Sequence, residues 1–322
     1  NVSRRKLWLL CGLIGLLALA ACQPQTIVVE KEIKVTEIVK EVIKETVVVQ
    51  GTPQVVEKEV TKVIETEKVV TATPAPSDEP KVLRINPGTG TYPDIIDPQK
   101  SSFVGEIAHL RLIYEGLTTL DSDLTTIPGA AETWEYSEDA TELTFTLREG
   151  LQYSDGSVLN AMRFRYSLLR NVNPDTAGEY AAITDEILGA PEWRTGEGDE
   201  AVKGKETVEQ SVQALDMSGN ACTDYAQADC RVLKLKLSRP APYFHTIMGL
   251  WVVYPAKEEN IVEGGPNWWN SSKYQIGNGP YVLESLEPFV RGYFKPSETY
   301  WRGKGKADIE FSYITDSAIR YQ

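Results

Sequence analysis

The sequence predicts a folded body of mixed helices and strands with much antiparallel pairing. Two sequence patterns support this prediction. Residues 131–150 carry alternating apolar side chains on two arms, as a hairpin does. Residues 104–117 and about 160–171 carry apolar side chains at helical spacing, and Asn160 stands where an N-cap is expected. The body, residues 81–322, is longer than a typical domain.

The chain opens with a stretch that predicts export. Three basic residues at 4–6 precede an apolar run, which is shorter than the roughly 20 residues of a spanning helix and ends in small residues. Residues 1–21 are therefore predicted to be a signal peptide. The sequence LAAC, ending at Cys22, resembles the bacterial lipobox. That resemblance implies an acylated Cys22 and a membrane anchor, with a plain signal peptide as the alternative.

Residues 22–80 predict a tether between the anchor and the body. Residues 26–73 consist almost entirely of Val, Ile, Glu, Lys and Thr, and VVEKE occurs twice. Val and Thr favour extended structure, whereas the spacing of apolar doublets and Glu/Lys pairs favours a helix. Residues 51–53 interrupt the heptads, and a Pro-rich stretch closes the segment. A low-complexity tether is the preferred interpretation, and a coiled-coil oligomerisation stalk is the alternative.

The charge and the cysteines of the chain bear on three properties: nucleic-acid binding, disulfide formation and metal binding. The formal net charge is −13, which disfavours binding to nucleic acid. Cys222 and Cys230 flank a short loop before a strand, so an exported protein is expected to form a local disulfide there, with two free thiols as the alternative. Metal binding is not expected, because no nearby His or Cys completes a ligand set.

Further strands are predicted along the body. The alternating or apolar runs stand at 81–86, 280–287, 290–294 and 307–314, and a second hairpin pairs about 211–216 with 231–237.

Several motifs in the body resemble the N-terminal part of family-5 solute-binding proteins, the extracytoplasmic receptors of ABC importers. The motifs, in family order between residues 96 and 301, are IDP (96–98), EGL (115–117), AETW (131–134), FTLREGLQYSDG (145–156), LSRPAPYF (237–244), IGNGPY (276–281) and PSETYW (296–301).

The resemblance implies an α/β, periplasmic-binding-protein-like class II (two-lobe) fold. The first lobe and the start of the second are expected within 81–322, and the chain resembles a C-terminally truncated copy that by itself binds peptide poorly. The family usually has an acidic residue near position 163, where this chain has Arg163. The segment LREGLQYSDGS (147–157) is expected to be scaffold, with Asp155 as a ligand residue the alternative.

The resemblance also implies which residues contact a ligand. In oligopeptide-binding members the stretch after the IDP element forms strand-like main-chain hydrogen bonds with a peptide. Here that stretch is Ser101, Ser102, Phe103 and Val104. The other expected ligand contacts are Tyr180, for which helix packing is the alternative, and Leu250 and Trp251. Trp268 and Trp269 are expected to be exposed loop or lid aromatics.

No motif predicts catalysis. The two histidines, His109 and His245, lack a nucleophile-elbow context, and His109 is expected to be structural. The predicted protein is therefore not an enzyme and needs no cofactor or metal.

The function that the sequence predicts is a lipid-anchored, peptide-binding receptor on the extracytoplasmic face of the cell membrane. Its implied partners are a peptide or other small solute, an ABC permease with its ATPase subunits, and membrane lipid through Cys22. A receptor for an oligosaccharide or another small solute is one alternative. An anchored structural or adhesive protein with an oligomerising stalk is another.

Overall fold

The computed structural model describes residues 31–49, 52–70, 81–87, 92–314 and 316, with side chains described from residue 81 onward. The chain divides into two compact units between Glu79 and Pro80. The predicted signal peptide and Cys22 lie outside the described residues. Within those residues, none of the helices combines the length and the apolar character that membrane crossing requires.

The described part of the first unit is a long antiparallel hairpin. Strand β1 (Lys31–Val49) pairs with β2 (Thr52–Val70), and the register joins Lys31 to Val70 and Val49 to Thr52. Val and Thr favour this extended conformation because their branched side chains suit a pleated surface. For these residues the structure is extended, and not the helix that a coiled-coil stalk requires.

One four-stranded sheet of the body carries the smaller core. It joins β3 (Val82–Ile85), β10 (Tyr281–Glu287), β11 (Arg291–Pro296) and β12 (Asp308–Ser312) in the order β10-β11-β12-β3. The β3–β12 pairing is parallel and the others are antiparallel. Helix α1 (Val104–Ile113) supplies buried residues to the same core, which positions its N-terminus at the body surface.

A second four-stranded sheet, antiparallel throughout, carries the larger core. It contains β6 (Ala131–Tyr136), β7 (Glu142–Leu147), β8 (Val212–Leu215) and β9 (Val232–Lys236) in the order β6-β7-β9-β8. Both predicted hairpin segments are therefore confirmed as strands, although β9 lies between β7 and β8 in the sheet. The amphipathic helix α2 (Ala161–Val172) packs its apolar face into this core.

The remaining elements connect these layers. Strands β4 (Thr118–Leu120) and β5 (Thr126–Pro128) form a short antiparallel ribbon. The other helices are α2 (Ala161–Val172), α3 (Ala190–Thr195), α4 (Asp199–Ser211), α5 (Phe244–Ile247) and α6 (Glu258–Gly264). Short 3₁₀ turns occupy Pro174–Thr176, Ala181–Thr184, Trp251–Val253 and Gly265–Asn270.

Helix α1 ends at Ile113, four residues before the end of the predicted helical segment 104–117. Tyr114 is extended, and the Gly279 N–H donates to the carbonyl of Ile113 at 2.8 Å. The side chain of Asn278 pairs with both backbone groups of Glu115, at 3.1 and 3.0 Å. A distant segment therefore takes the hydrogen bonds that a further helical turn would use.

The segment LREGLQYSDGS is scaffold, as predicted. Leu147 is buried, and Gly150 and Gly156 have φ of +72° and +80°, which only glycine adopts without strain. Asp155 accepts hydrogen bonds from the Ser157 N–H at 3.0 Å and from Lys257 Nζ at 2.6 Å. The turn therefore directs the chain into α2, whose N-cap Asn160 accepts from the Met162 N–H.

Candidate ligand-binding surface

Apolar and aromatic side chains are exposed where α1 begins. Phe103 and Val104 are 64% and 75% exposed, and Tyr180 is 41% exposed. The ring of Tyr180 meets that of Trp251 edge to face, with centroids 5.1 Å apart. Trp251 Nε1 donates to the carbonyl of Ser101 at 2.8 Å, which brings these aromatic residues to the segment before α1. We refer to Phe103, Val104, Tyr180, Leu250 and Trp251 as the ligand surface.

The backbone before α1 already has hydrogen-bond partners in the chain. The Ser101 N–H donates to the Asp97 carbonyl at 2.8 Å, and the Ser102 and Phe103 N–H groups donate to Glu106 Oε2 at 2.9 and 3.1 Å. The Ser101 side chain is buried and donates to the Ile95 carbonyl. At this segment three amides are therefore already paired within the chain, and the exposed groups are the side chains of Phe103 and Val104.

Glu106 fixes this segment from inside the protein. It is buried, and its Oε1 also accepts from the Ile95 N–H at 2.9 Å. One carboxylate thus joins two stretches of loop to the first turn of α1. The sequence reasoning missed Glu106. The available signal was an acidic residue in the first turn of the helix. The capping pattern was not recognisable, because Phe103 stands at the N-cap position, where a polar residue is usual.

A buried ion pair, Asp97–Arg170, joins the chain segment before α1, close to the ligand surface, to α2. Arg170 donates to both carboxylate oxygens of Asp97, each at 2.6 Å, and to Gln99 Oε1 at 2.7 Å. Trp268 Nε1 donates to Asp97 Oδ2 at 2.9 Å. The prediction that Trp268 is an exposed aromatic is therefore wrong: its side chain is 2% exposed, because it closes this network, while Trp269 is half-buried against the smaller core.

Arg163, the departure from the family pattern, has its own counter-charge. It is buried, donates to the two carboxylate oxygens of Glu259 at 2.5 and 2.8 Å, and lies 3.7 Å from the ring centroid of Tyr225. The ion pair lowers the pKa of Glu259, although desolvation opposes the shift. Glu259, on α6, therefore supplies the carboxylate that pairs with this arginine.

Both histidines make packing contacts. Burial lowers the pKa of His109 to about 4, and its ring contacts the Gly105 carbonyl at 2.6 Å and the Tyr313 hydroxyl at 2.7 Å. His245 stacks on Trp134 with centroids 5.1 Å apart. Among the residues that the structure describes, no group of three His, Cys, Asp or Glu side chains could hold a metal ion.

The loop before β9 is closed by a disulfide. Cys222 and Cys230 are bonded, with Cα atoms 5.8 Å apart. The Asn160 side-chain amide donates to the carbonyls of Asp224, Tyr225 and Gln227 at 3.1–3.2 Å. The cross-linked loop is thereby attached to the N-terminus of α2.

Comparisons with known proteins place this fold. The family model for bacterial extracellular solute-binding proteins, family 5 (middle region), matches residues 125–322. The periplasmic oligopeptide-binding protein OppA of Escherichia coli is 30% identical over 227 residues, which cover 70% of this chain and 38% of the relative. The dipeptide-binding protein DppE of Bacillus subtilis is 27% identical over 215 residues, covering 66% of this chain and 36% of the relative.

Solved structures of peptide-binding proteins are also similar to this chain. The complex of Haemophilus influenzae OppA with RPPGFSPFR has a TM-score of 0.63 and 26% identity, covering 76% of this chain and 44% of that one. The Escherichia coli murein tripeptide binding protein MppA has a TM-score of 0.61 and 27% identity, covering 76% and 44%.

The chain spans about two fifths of the length of the curated relatives that it matches. The neighbours confirm the periplasmic-binding-protein-like fold over the covered part. Solute-binding proteins of this family are transport receptors and not enzymes, in agreement with the prediction of a non-catalytic protein. From its motifs, its fold and these matches, the chain belongs to family 5 of the bacterial extracellular solute-binding proteins.

Proposed function

We propose that this protein is the peptide-binding receptor of an ABC importer, held on the extracytoplasmic face of the membrane by acylated Cys22. The ligand surface is the observation that carries the proposal. A family-5 body presents two exposed apolar side chains and an aromatic pair at one place, near a buried ion pair. Three relatives named above are peptide-binding by their names.

The chemistry of the surface suits peptides of varied sequence. Phe103, Val104, Tyr180 and Trp251 offer apolar contact and ring faces without a charged group. Such contacts favour apolar side chains of many shapes, and no bond needs to be made or broken. A second lobe closing over the ligand by hinge bending would complete the site and present the loaded receptor to the permease.

The test is native mass spectrometry and calorimetry on the full-length gene product with Cys22→Ser, purified without refolding. Retained masses that fragment as short peptides are expected, as is calorimetric binding of synthetic peptides. The Tyr180→Ala variant should bind about two- to thirteenfold more weakly, since an aromatic contact contributes roughly 0.5–1.5 kcal/mol. The Phe289→Ala variant, which removes a ring that is 75% exposed elsewhere, is the matched control. A protein that retains no peptide and gives no heat with peptides would refute the proposal.

A receptor for another small solute is the second candidate. One relative, 28% identical over 194 residues, is named a probable deoxycholate-binding periplasmic protein, YgiS of Escherichia coli. A retained sterol or hexose mass in the same spectrum would favour this candidate over the peptide receptor.

A further inference from the structure

One face of α1 leads from the ligand surface to a cavity. Val104, Ala108 and Arg111 follow one another at helical spacing, and the first and last of them are exposed. A cavity of about 330 Å³ opens at the Arg111 end, lined there by Arg111, Leu250 and Tyr254. This volume lies near the lower limit of ligand pockets, roughly 300–1,000 Å³. Because Leu250 lines the cavity and belongs to the ligand surface, the two adjoin.

Arg111 brings a positive charge to this cavity without a carboxylate partner. Arg111 lines the cavity together with Tyr254, and burial raises the pKa of this phenol to about 12, so that it is neutral at physiological pH. Among the residues that the structure describes, Arg111 forms no ion pair. The cavity lining therefore contains a cation whose charge no ion pair neutralises within the described part of the chain.

The carboxylate in the cavity lining is already compensated. Glu115 is buried and accepts from the Tyr300 hydroxyl at 2.9 Å and from Trp301 Nε1 at 2.5 Å. Arg302 Nε lies 3.2 Å from Glu115 Oε1 and supplies the counter-charge. The negative charge of Glu115 is thus matched by Arg302, and the charge of Arg111 remains for a ligand.

We propose that this cavity binds a carboxylate of the peptide ligand, with Arg111 as the residue that selects it. The inference rests on the proposed peptide-binding function and names a specificity within it. A guanidinium donates two parallel hydrogen bonds to the two oxygens of a carboxylate, whereas an amide of the same shape has one acceptor oxygen, no negative charge and an N–H₂ group that would face the guanidinium donors. A lysine side chain at the same place would be repelled. The carboxylate comes either from an acidic side chain or from the peptide C-terminus, and the test separates these sources.

The test is calorimetry on the full-length gene product with Cys22→Ser and six peptides. These are Ala-Ala-Glu-Ala, Ala-Ala-Gln-Ala and Ala-Ala-Lys-Ala, each with a free and an amidated C-terminus. If the side chain is the ligand, the Glu peptide binds about tenfold more tightly than the Gln peptide, as expected for one charge-assisted hydrogen-bonded pair. If the C-terminus is the ligand, amidation weakens all three peptides by a similar factor.

Variants assign the preference to Arg111. Arg111→Gln should abolish the preference for the carboxylate, and Arg111→Lys should keep part of that preference. Arg84→Gln removes an equal charge from a side chain that is 69% exposed, and should leave the preference intact. Circular dichroism checks the fold of each variant.

Each outcome decides between the two proposals. Equal affinity for all six peptides, or a preference that survives Arg111→Gln, overturns the role of Arg111 and leaves peptide binding established. The absence of binding to any peptide refutes the proposed function, and this inference with it.

Chemical modification gives a second test of Arg111. Phenylglyoxal modifies arginine, and mass spectrometry follows the modification of Arg111. A saturating peptide that carries a carboxylate should slow this modification about tenfold or more, and the neutral peptide should not. Equal protection by both peptides also overturns the assignment.

Discussion

Removal of one partner of the Asp97–Arg170 pair should destabilise the body strongly. The two side chains are 1% and 10% exposed, and two hydrogen bonds at 2.6 Å join them. In Asp97→Asn, one amide N–H₂ would face the Arg170 and Trp268 donors, and the guanidinium would lose its buried counter-charge. Breaking such a pair costs about 3–5 kcal/mol of the free energy of unfolding. For a domain of this size, that loss lowers the midpoint of thermal unfolding by roughly 6–20 °C.

The assay is thermal and urea unfolding of the full-length gene product, followed by circular dichroism and tryptophan fluorescence. Arg170→Met should cost a similar amount, since Asp97 is then left buried and unpaired. The double variant should cost less than the sum, because the two losses share one interaction. Arg194→Met is the control, since the Arg194–Asp185 pair is 24% and 30% exposed and its loss should cost about 1 kcal/mol or less. An Asp97→Asn variant as stable as the control would refute this account of what supports the ligand surface.

Three further predictions follow from individual contacts. Glu106→Ala should leave three amides without their acceptor, and hydrogen exchange of residues 95–103 should accelerate at least tenfold; unchanged exchange would contradict the role given to Glu106. Gly277→Ala would place a Cβ about 2.0 Å from a backbone oxygen and should lower the free energy of unfolding by about 3 kcal/mol or more. Gly150→Ala, at an open position with positive φ, should lower it by about 1 kcal/mol. Equal losses in urea titrations would contradict the close packing at Gly277. The pKa of His109 falls from 6.5 to about 4 on folding, so between these pH values the unfolded state binds a proton that the folded state does not. Stability should therefore be highest above pH 6.5, and about 3 kcal/mol of it should be lost as the pH falls from 6.5 to 4. His109→Gln should flatten this part of the stability–pH profile, and an unchanged slope would contradict the effect ascribed to His109.

Local patterning was enough for the elements and for the family. The alternation in 131–150 predicted the β6–β7 hairpin, and Asn160 marked the start of α2, because hydrogen bonds between neighbouring residues determine both features. The motif order identified the family without any knowledge of contacts. In residues 31–49 and 52–70, the extended and helical tendencies conflicted within the sequence, and the antiparallel pairing of these two stretches shows the extended conformation.

Only the tertiary structure decided how distant segments meet. The end of α1 at Ile113 depends on Asn278 and Gly279, and the burial of Trp268 depends on Asp97. These partners are more than 160 residues apart, so no local pattern encodes the contact. The sequence by itself determined which residues can form strands, helices and turns. Packing determined which polar groups are paired inside the protein and which, like Arg111, form no ion pair among the described residues, because hydrogen-bond and charge satisfaction depend on the whole fold.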